Sequence, residues 1–122
     1  VLWTSRRQQS VASSTCHTEY MALGVATQQL LWVRHLLKDV LKTDFVGHIL
    51  CNNQAAIHVA IDDASNKRTR HSDRDFYITN KSLFQKKTSL SWVNTKDQLA
   101  DIFTKPLGPN LFLSMRSKLS CT

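Results

Sequence analysis

Apolar residues recur at spacings of three and four over residues 23–40, which is the period of an α-helix with one apolar face. The members of this stripe are Leu23, Ala26, Leu30, Val33, Leu37 and Val40. Ser14 or Thr15 can cap the first turn, because a side-chain oxygen there accepts a hydrogen bond from a free backbone N–H group. The pattern therefore predicts a long helix over residues 14–43.

The rest of the chain alternates short strand-like and helix-like stretches. The predicted strands and helices cover residues 1–8 (an edge strand), 48–52 (strand), 54–60 (helix), 72–84 (helix), 89–93 (strand), 95–105 (helix) and 109–119 (helix). Thr95 and Gln98 have the spacing of a capping box at the start of one of these helices. This order, with 42% hydrophobic and 20% charged residues, predicts one α/β domain over residues 1–122.

The formal net charge of +7 comes entirely from the second half of the chain. Residues 1–66 hold five Lys/Arg and five acids, whereas residues 67–122 hold eleven and four. This asymmetry predicts a polyanionic partner, nucleic acid before an anionic membrane, with a solubilising surface as the alternative. Lys67, Arg68 and Arg70 open the basic half and are candidate phosphate contacts, or else an ordinary solvated loop.

Scarce residue types add two further indications. Glu19 is the only glutamate, and it lies four residues before Leu23, so it continues the apolar stripe of the long helix toward its N-terminus. The three cysteines, Cys16, Cys51 and Cys121, are odd in number and widely spaced, which predicts free thiols in a reducing intracellular compartment, cytoplasmic or nuclear. No run approaches the ~18 apolar residues of a membrane span, so no membrane partner is expected.

Four segments are more specific than this patterning. They cover residues 3–8 leading into 13–23, residues 50–57, residues 69–73 and residues 98–107, of which the last reads QLADIFTKPL. In this order and spacing they resemble the ribonuclease H domain of copia-type LTR-retrotransposon Pol polyproteins. The resemblance implies a ribonuclease H-like mixed sheet with flanking helices. It also implies hydrolysis of the RNA strand of RNA–DNA hybrids by two magnesium ions, which four carboxylates hold.

The resemblance assigns the carboxylates one by one. Glu19 matches the second and Asp101 the fourth, whereas Asn52 stands at the third position, which is usually aspartate. Asparagine offers a carbonyl oxygen but no negative charge to attract magnesium. The first aspartate belongs to a strand upstream of residues 1–8, so we expect a truncated fold without the first two strands and an inactive copy. The upstream reverse transcriptase segment is then an expected partner.

Each assigned residue also has a structural interpretation. Glu19 can be a helix N-terminal acid stabilised by the helix dipole at ~0.3–1 kcal/mol, and Asn52 a cap or turn residue. Asp101 can be a surface acid paired with Lys105 at ~0.3–0.5 kcal/mol. Two functions follow. One is a ribonuclease H in which Glu19 and Asp101 meet beside Asn52 and act with carboxylates supplied in trans. The other is a non-catalytic basic module that binds nucleic acid, or a non-functional transposon remnant.

Overall fold

The computed structural model describes residues 2–8, 11, 14–62 and 74–119. Over these residues the chain is a mixed α/β protein with four α-helices and a two-stranded parallel sheet. In chain order the elements are α1 (Thr15–Leu41), β1 (Gly47–Cys51), α2 (Gln54–Ile61), α3 (Arg74–Phe84), β2 (Thr88–Trp92) and α4 (Pro109–Lys118). The chain forms two compact units, a terminal unit (Val1–Val11 with Val93–Thr122) and a central unit (Ala12–Trp92).

Both ends of α1 follow from local hydrogen bonding. The Ser14 side chain accepts a hydrogen bond from the His17 backbone N–H at 3.1 Å, as expected for an N-cap. At the other end, Lys42 adopts a left-handed conformation with φ of 55°, and its N–H donates to the Lys38 carbonyl at 2.9 Å. This geometry closes the helix after Leu41.

Of the predicted apolar stripe on α1 only Leu23 is buried; Leu30 and Val33 are half-buried, and Ala26, Leu37 and Val40 are exposed. Leu23 is 4% exposed, whereas Val40 is 67% exposed. With 27 residues α1 is about 40 Å long, whereas α2 and α3, with 8 and 11 residues, reach only about 12 and 16 Å. The helices that pack on α1 are therefore too short to cover its second half, and Trp32 and Leu36 stay exposed.

The two strands run parallel, with Gly47 opposite Thr88 at one end and Cys51 opposite Trp92 at the other. Parallel neighbours need a long crossover connection, and here it contains α2 and α3. Gly47 begins β1 directly beneath α1. A β-carbon at this position would collide with the Leu30 side chain, so the close approach of strand and helix requires glycine.

The core of the central unit lies between α1, β1 and α2. Its buried members are Tyr20, Leu23, Cys51, Ala56 and Ala60. The two alanines are one turn apart on α2 and fully buried, and their small side chains let this helix pack closely against α1. Beside this core, small residues join α1 to α3, where the hydroxyls of Thr27 and Thr79 lie 3.4 Å apart.

Two of the predicted elements differ in the structure. Residues 2–8 form no strand, because β1 and β2 pair only with each other within the described residues and a strand needs a hydrogen-bonded neighbour. The helix predicted over 95–105 is replaced by two short 3₁₀ helices, Thr95–Asp97 and Leu99–Phe103. Asn94, rather than Thr95, caps the first of them by accepting from the Lys96 N–H at 3.1 Å. The start of the helix predicted at residue 72 lies outside the described residues.

Candidate functional site

Glu19 lies in the second turn of α1, on the side of the helix that faces the core of the central unit. It is half-buried, directly before the buried Tyr20 and four residues before the buried Leu23. Within the described part of the chain, the side chain of Glu19 forms no hydrogen bond or ion pair. A half-buried carboxylate without a protein cation beside it is available to an external cation.

The carboxyl end of β1 lies close to Glu19. Burial raises the pKa of the Cys51 thiol, the last residue of β1, and the negative charge of Glu19 raises it further, with a contribution from Cys16 in the same direction. A backbone hydrogen bond from Asn53 opposes this shift, and the Asn53 N–H lies 3.4 Å from the Cys51 sulfur. Glu19 therefore acts electrostatically on Cys51, the residue that precedes Asn52.

Asn52 occupies the bend between β1 and α2 and is half-buried. The cap of α2 is Asn53, whose side-chain oxygen accepts a hydrogen bond from the Ala56 N–H at 3.0 Å. Interpreting Asn52 as the cap is therefore wrong by one residue: β1 ends at Cys51, one residue earlier than predicted, and α2 begins at Gln54, so Asn53 is the residue directly before the helix. Asn52 is the turn residue, and its side chain forms no hydrogen bond to any described residue.

Asp101 belongs to the terminal unit, in the second 3₁₀ helix. Its side chain is 11% exposed and forms an ion pair with Lys105, with a distance of 2.9 Å between the carboxylate oxygen and the ammonium nitrogen. The structural alternative drawn from the sequence is right about this partner. It is wrong in placing Asp101 on the surface, because the residue is buried. A buried carboxylate needs its cationic partner, here Lys105, more than an exposed one does.

The three predicted phosphate contacts, Lys67, Arg68 and Arg70, lie outside the described residues. Glu19 and Asn52 both belong to the central unit, where Glu19 acts electrostatically on Cys51, the residue before Asn52. In the described part of each unit, no three His, Cys, Asp or Glu side chains gather into a group that could hold a metal ion. The described part of neither unit therefore fits, by itself, the two-metal site that the resemblance implies.

Sequence reasoning missed an aromatic pair in the terminal unit. The rings of Trp3 and Phe103 stack with their centroids 5.1 Å apart and their planes 4° from parallel. Trp3 nevertheless remains 65% exposed. The signal in the sequence was a tryptophan three and four residues before Arg6 and Arg7, a combination of an aromatic with cations that is typical of nucleic-acid contacts.

The chain is similar to curated transposon proteins over nearly its whole length. It is 26% identical to the retrovirus-related Pol polyprotein from transposon RE1 of Arabidopsis thaliana over 100% of this chain, and 26% identical to that from transposon RE2 of the same plant over 98%. The corresponding protein from transposon TNT 1-94 of Nicotiana tabacum is 24% identical over 92% of the chain. The chain spans about 8% of the length of each relative. It is therefore homologous to a segment of retrovirus-related Pol polyproteins of transposons.

The other comparisons give no match. No family model matches the chain, and no solved structure is significantly similar to it. Among the helices of the described residues, none is both long and apolar enough to cross a membrane.

Proposed function

We propose that the chain is a ribonuclease H-type segment of a retrotransposon Pol polyprotein. Its metal-binding corner, by which we mean Glu19 of α1 and Asn52 at the carboxyl end of β1, has lost part of its negative charge. The activity of this type of domain is hydrolysis of the RNA strand of an RNA–DNA hybrid, with magnesium ions activating water and stabilising the leaving oxygen. Homology to Pol polyproteins supports the origin of the segment. The observation that supports the finer assignment is the Glu19 carboxylate, which has no cationic partner among the described residues and acts on the pKa of Cys51, the residue before Asn52.

The chemistry of this corner explains why we expect weak magnesium binding. Magnesium gives up its water shell reluctantly, so its protein ligands are mainly carboxylates. Glu19 supplies one negative charge, and Asn52 supplies an oxygen without charge. Asp101 would supply a second charge, but it would first have to exchange its Lys105 partner for the metal. The low charge favours a copy that does not hydrolyse the hybrid by itself.

The test is magnesium-dependent cleavage of an end-labelled RNA–DNA hybrid by the full chain, with and without the upstream reverse transcriptase segment. We expect no cleavage by the unmodified chain, and cleavage by the Asn52→Asp variant once the upstream segment is added. Glu19→Gln in that variant should abolish the activity, whereas Asp39→Asn, which removes an exposed acid from the far end of α1, should not.

Two results would contradict the proposal. Cleavage by the Asn52→Asp variant that survives both Glu19→Gln and Asp101→Asn would show that other groups bind the metal. Absence of any cleavage by the Asn52→Asp variant with the upstream segment would show that the remaining carboxylates do not form a ribonuclease H site.

A further inference from the structure

We infer that the terminal unit binds single-stranded nucleic acid, with a base stacked on the open face of Trp3 and neighbouring phosphates contacted by Arg6 and Arg7. This binding needs neither metal nor hydrolysis and is therefore separate from the function proposed above. It uses residues other than the predicted basic cluster at 67–70.

The first observation is the geometry of the Trp3 ring. Phe103 stacks on one face of the indole, nearly parallel and offset, which is a preferred arrangement for two aromatic rings. The 65% exposure of Trp3 means that its other face is open to solvent. Phe103 thus holds the indole in one orientation. Stacking of a base on it therefore costs little conformational entropy of the Trp3 side chain.

The second observation is the charge of the terminal unit. It contains six Lys/Arg and two Asp, which gives a formal net charge of +4. Both acids are already paired, Asp101 with Lys105 and Asp97 with Lys118, each at 2.9 Å. The cations that remain are Arg6, Arg7, Lys96 and Arg116. All four are exposed, and none forms an ion pair within the described residues. The excess charge is therefore free to meet phosphates.

The third observation is the spacing along the chain. Arg6 and Arg7 follow Trp3 by three and four residues in a segment without helix or strand, so their α-carbons lie within about 10–14 Å of that of Trp3. Long arginine side chains in this range reach the backbone of a strand whose base stacks on the indole. Proteins that bind single strands combine aromatic stacking with cationic side chains in this way. A duplex is disfavoured, because the faces of its bases are already stacked on their neighbours.

Trp32 provides a matched comparison in the central unit. It is 63% exposed, almost the same as Trp3, but no ring stacks on it among the described residues. The nearby cations are also engaged, since Arg34 and Lys38 pair with Asp44 at 2.5 and 3.7 Å. Exposure of an indole alone therefore does not create the arrangement found at Trp3.

The experiment measures the affinity of the full chain for fluorescein-labelled oligo(dT) and oligo(U) by anisotropy, in the presence of a metal chelator. We expect Trp3→Leu to weaken binding by about 5- to 150-fold, the range for loss of one stacked base. Trp3→Phe should restore most of the affinity, and Trp32→Leu should leave it unchanged. Equal effects of the two leucine variants, or failure of phenylalanine to restore binding, would overturn the inference.

A second pair of measurements does not depend on the aromatic stack. Replacing both Arg6 and Arg7 by glutamine should reduce the slope of log affinity against log salt by about 1.4, since each phosphate contact to a single strand contributes ~0.7. Trp3→Leu should leave that slope unchanged. An unaltered slope in the glutamine variant, or tighter binding to a duplex of the same sequence than to the single strand, would overturn the inference. Because no metal is present, neither result bears on hydrolysis.

Discussion

Replacing Asn52 by aspartate tests the proposed metal corner with a change of one atom in the side chain. The substitution keeps the shape of the residue and adds a negative charge beside the carboxyl end of β1, near Glu19. Because Asn52 does not cap α2 and bonds to no described residue, the change should disturb no local hydrogen bond. Any gain in magnesium affinity then reports the added charge.

The size of the gain follows from Coulomb's law. A divalent cation and a carboxylate about 4 Å apart attract each other by about 2 kcal/mol even with the dielectric constant of water, which corresponds to about 30-fold in affinity. Because Asn52 is half-buried, charges there are screened less than in water, so this figure is a lower value.

The assay is isothermal titration of magnesium into the full chain at fixed ionic strength. Asn53→Asp is the matched control, because it makes the same chemical change one residue later, and aspartate still caps α2. We expect Asn52→Asp to bind magnesium about 30-fold more tightly than the unmodified chain. The control should change affinity far less, since its oxygen is engaged by the Ala56 N–H.

Equal gains in the two variants would refute the reasoning, because they would show a general effect of charge rather than a site at position 52. An Asn52→Asp variant with unchanged affinity would refute it as well. A gain that persists after Glu19→Gln is added would mean that the metal binds without the carboxylate on which the proposal depends.

Three other perturbations test the surroundings of the site. Asn53→Ala should lower the free energy of unfolding in urea by about 1 kcal/mol, because an N–H group in the first turn of α2 loses its acceptor. Burial raises the pKa of Cys51 in the folded state only, so the free energy of unfolding should fall as pH rises past the ordinary thiol range. Glu19→Gln should lower the pKa of Cys51, which is measured by the absorbance of the thiolate. Lys105→Met should cost about 1–2 kcal/mol by leaving the buried Asp101 carboxylate unpaired, and adding Asp101→Asn should recover most of the loss.

Each of these perturbations has its own control. Asn53→Asp should keep the stability that Asn53→Ala loses, and equal losses would argue against capping as the cause. A Cys51→Ala chain should lose the corresponding part of the alkaline decline, since the group that titrates is absent. For the ion pair, a double variant no more stable than Lys105→Met would indicate that the lysine contributes by packing rather than by charge.

The central unit was the part of the fold most accessible from the sequence, because its signals are local. The period of the apolar residues and the Ser14 cap define α1, and short apolar runs define β1 and β2 within one residue at each end. The exposed second half of α1 could not be predicted in this way. Its exposure depends on the lengths of the helices packed against it, which the stripe itself does not encode.

The differences elsewhere arise where neighbouring residues compete for one role. Asn52 and Asn53 are equally good caps by type, and only the exact end of β1 decides that Asn53 bonds to α2. Likewise, Asn94 lies one residue before the predicted capping box at Thr95, and its side chain accepts the hydrogen bond from the Lys96 N–H. This cap favours a short 3₁₀ turn over a continuous helix. Such one-residue choices are set by tertiary context.

The sequence allowed the candidate site residues to be named, but it predicted few of the contacts that they make. The position of Glu19 on the core-facing side of α1 follows from its spacing to Leu23, and the structure agrees with that placement. The burial of Asp101 and the stacking of Trp3 on Phe103 involve residues from distant or irregular segments, whose contacts no periodicity encodes.

The most direct test of the proposed metal corner uses manganese, a paramagnetic ion that takes the same oxygen ligands as magnesium, in an NMR titration of the full chain. Substoichiometric manganese should first broaden the backbone amide signals of Glu19 and Asn52. Broadening that begins instead at the exposed acids Asp39 and Asp44, with those two amides unaffected, would contradict the assignment.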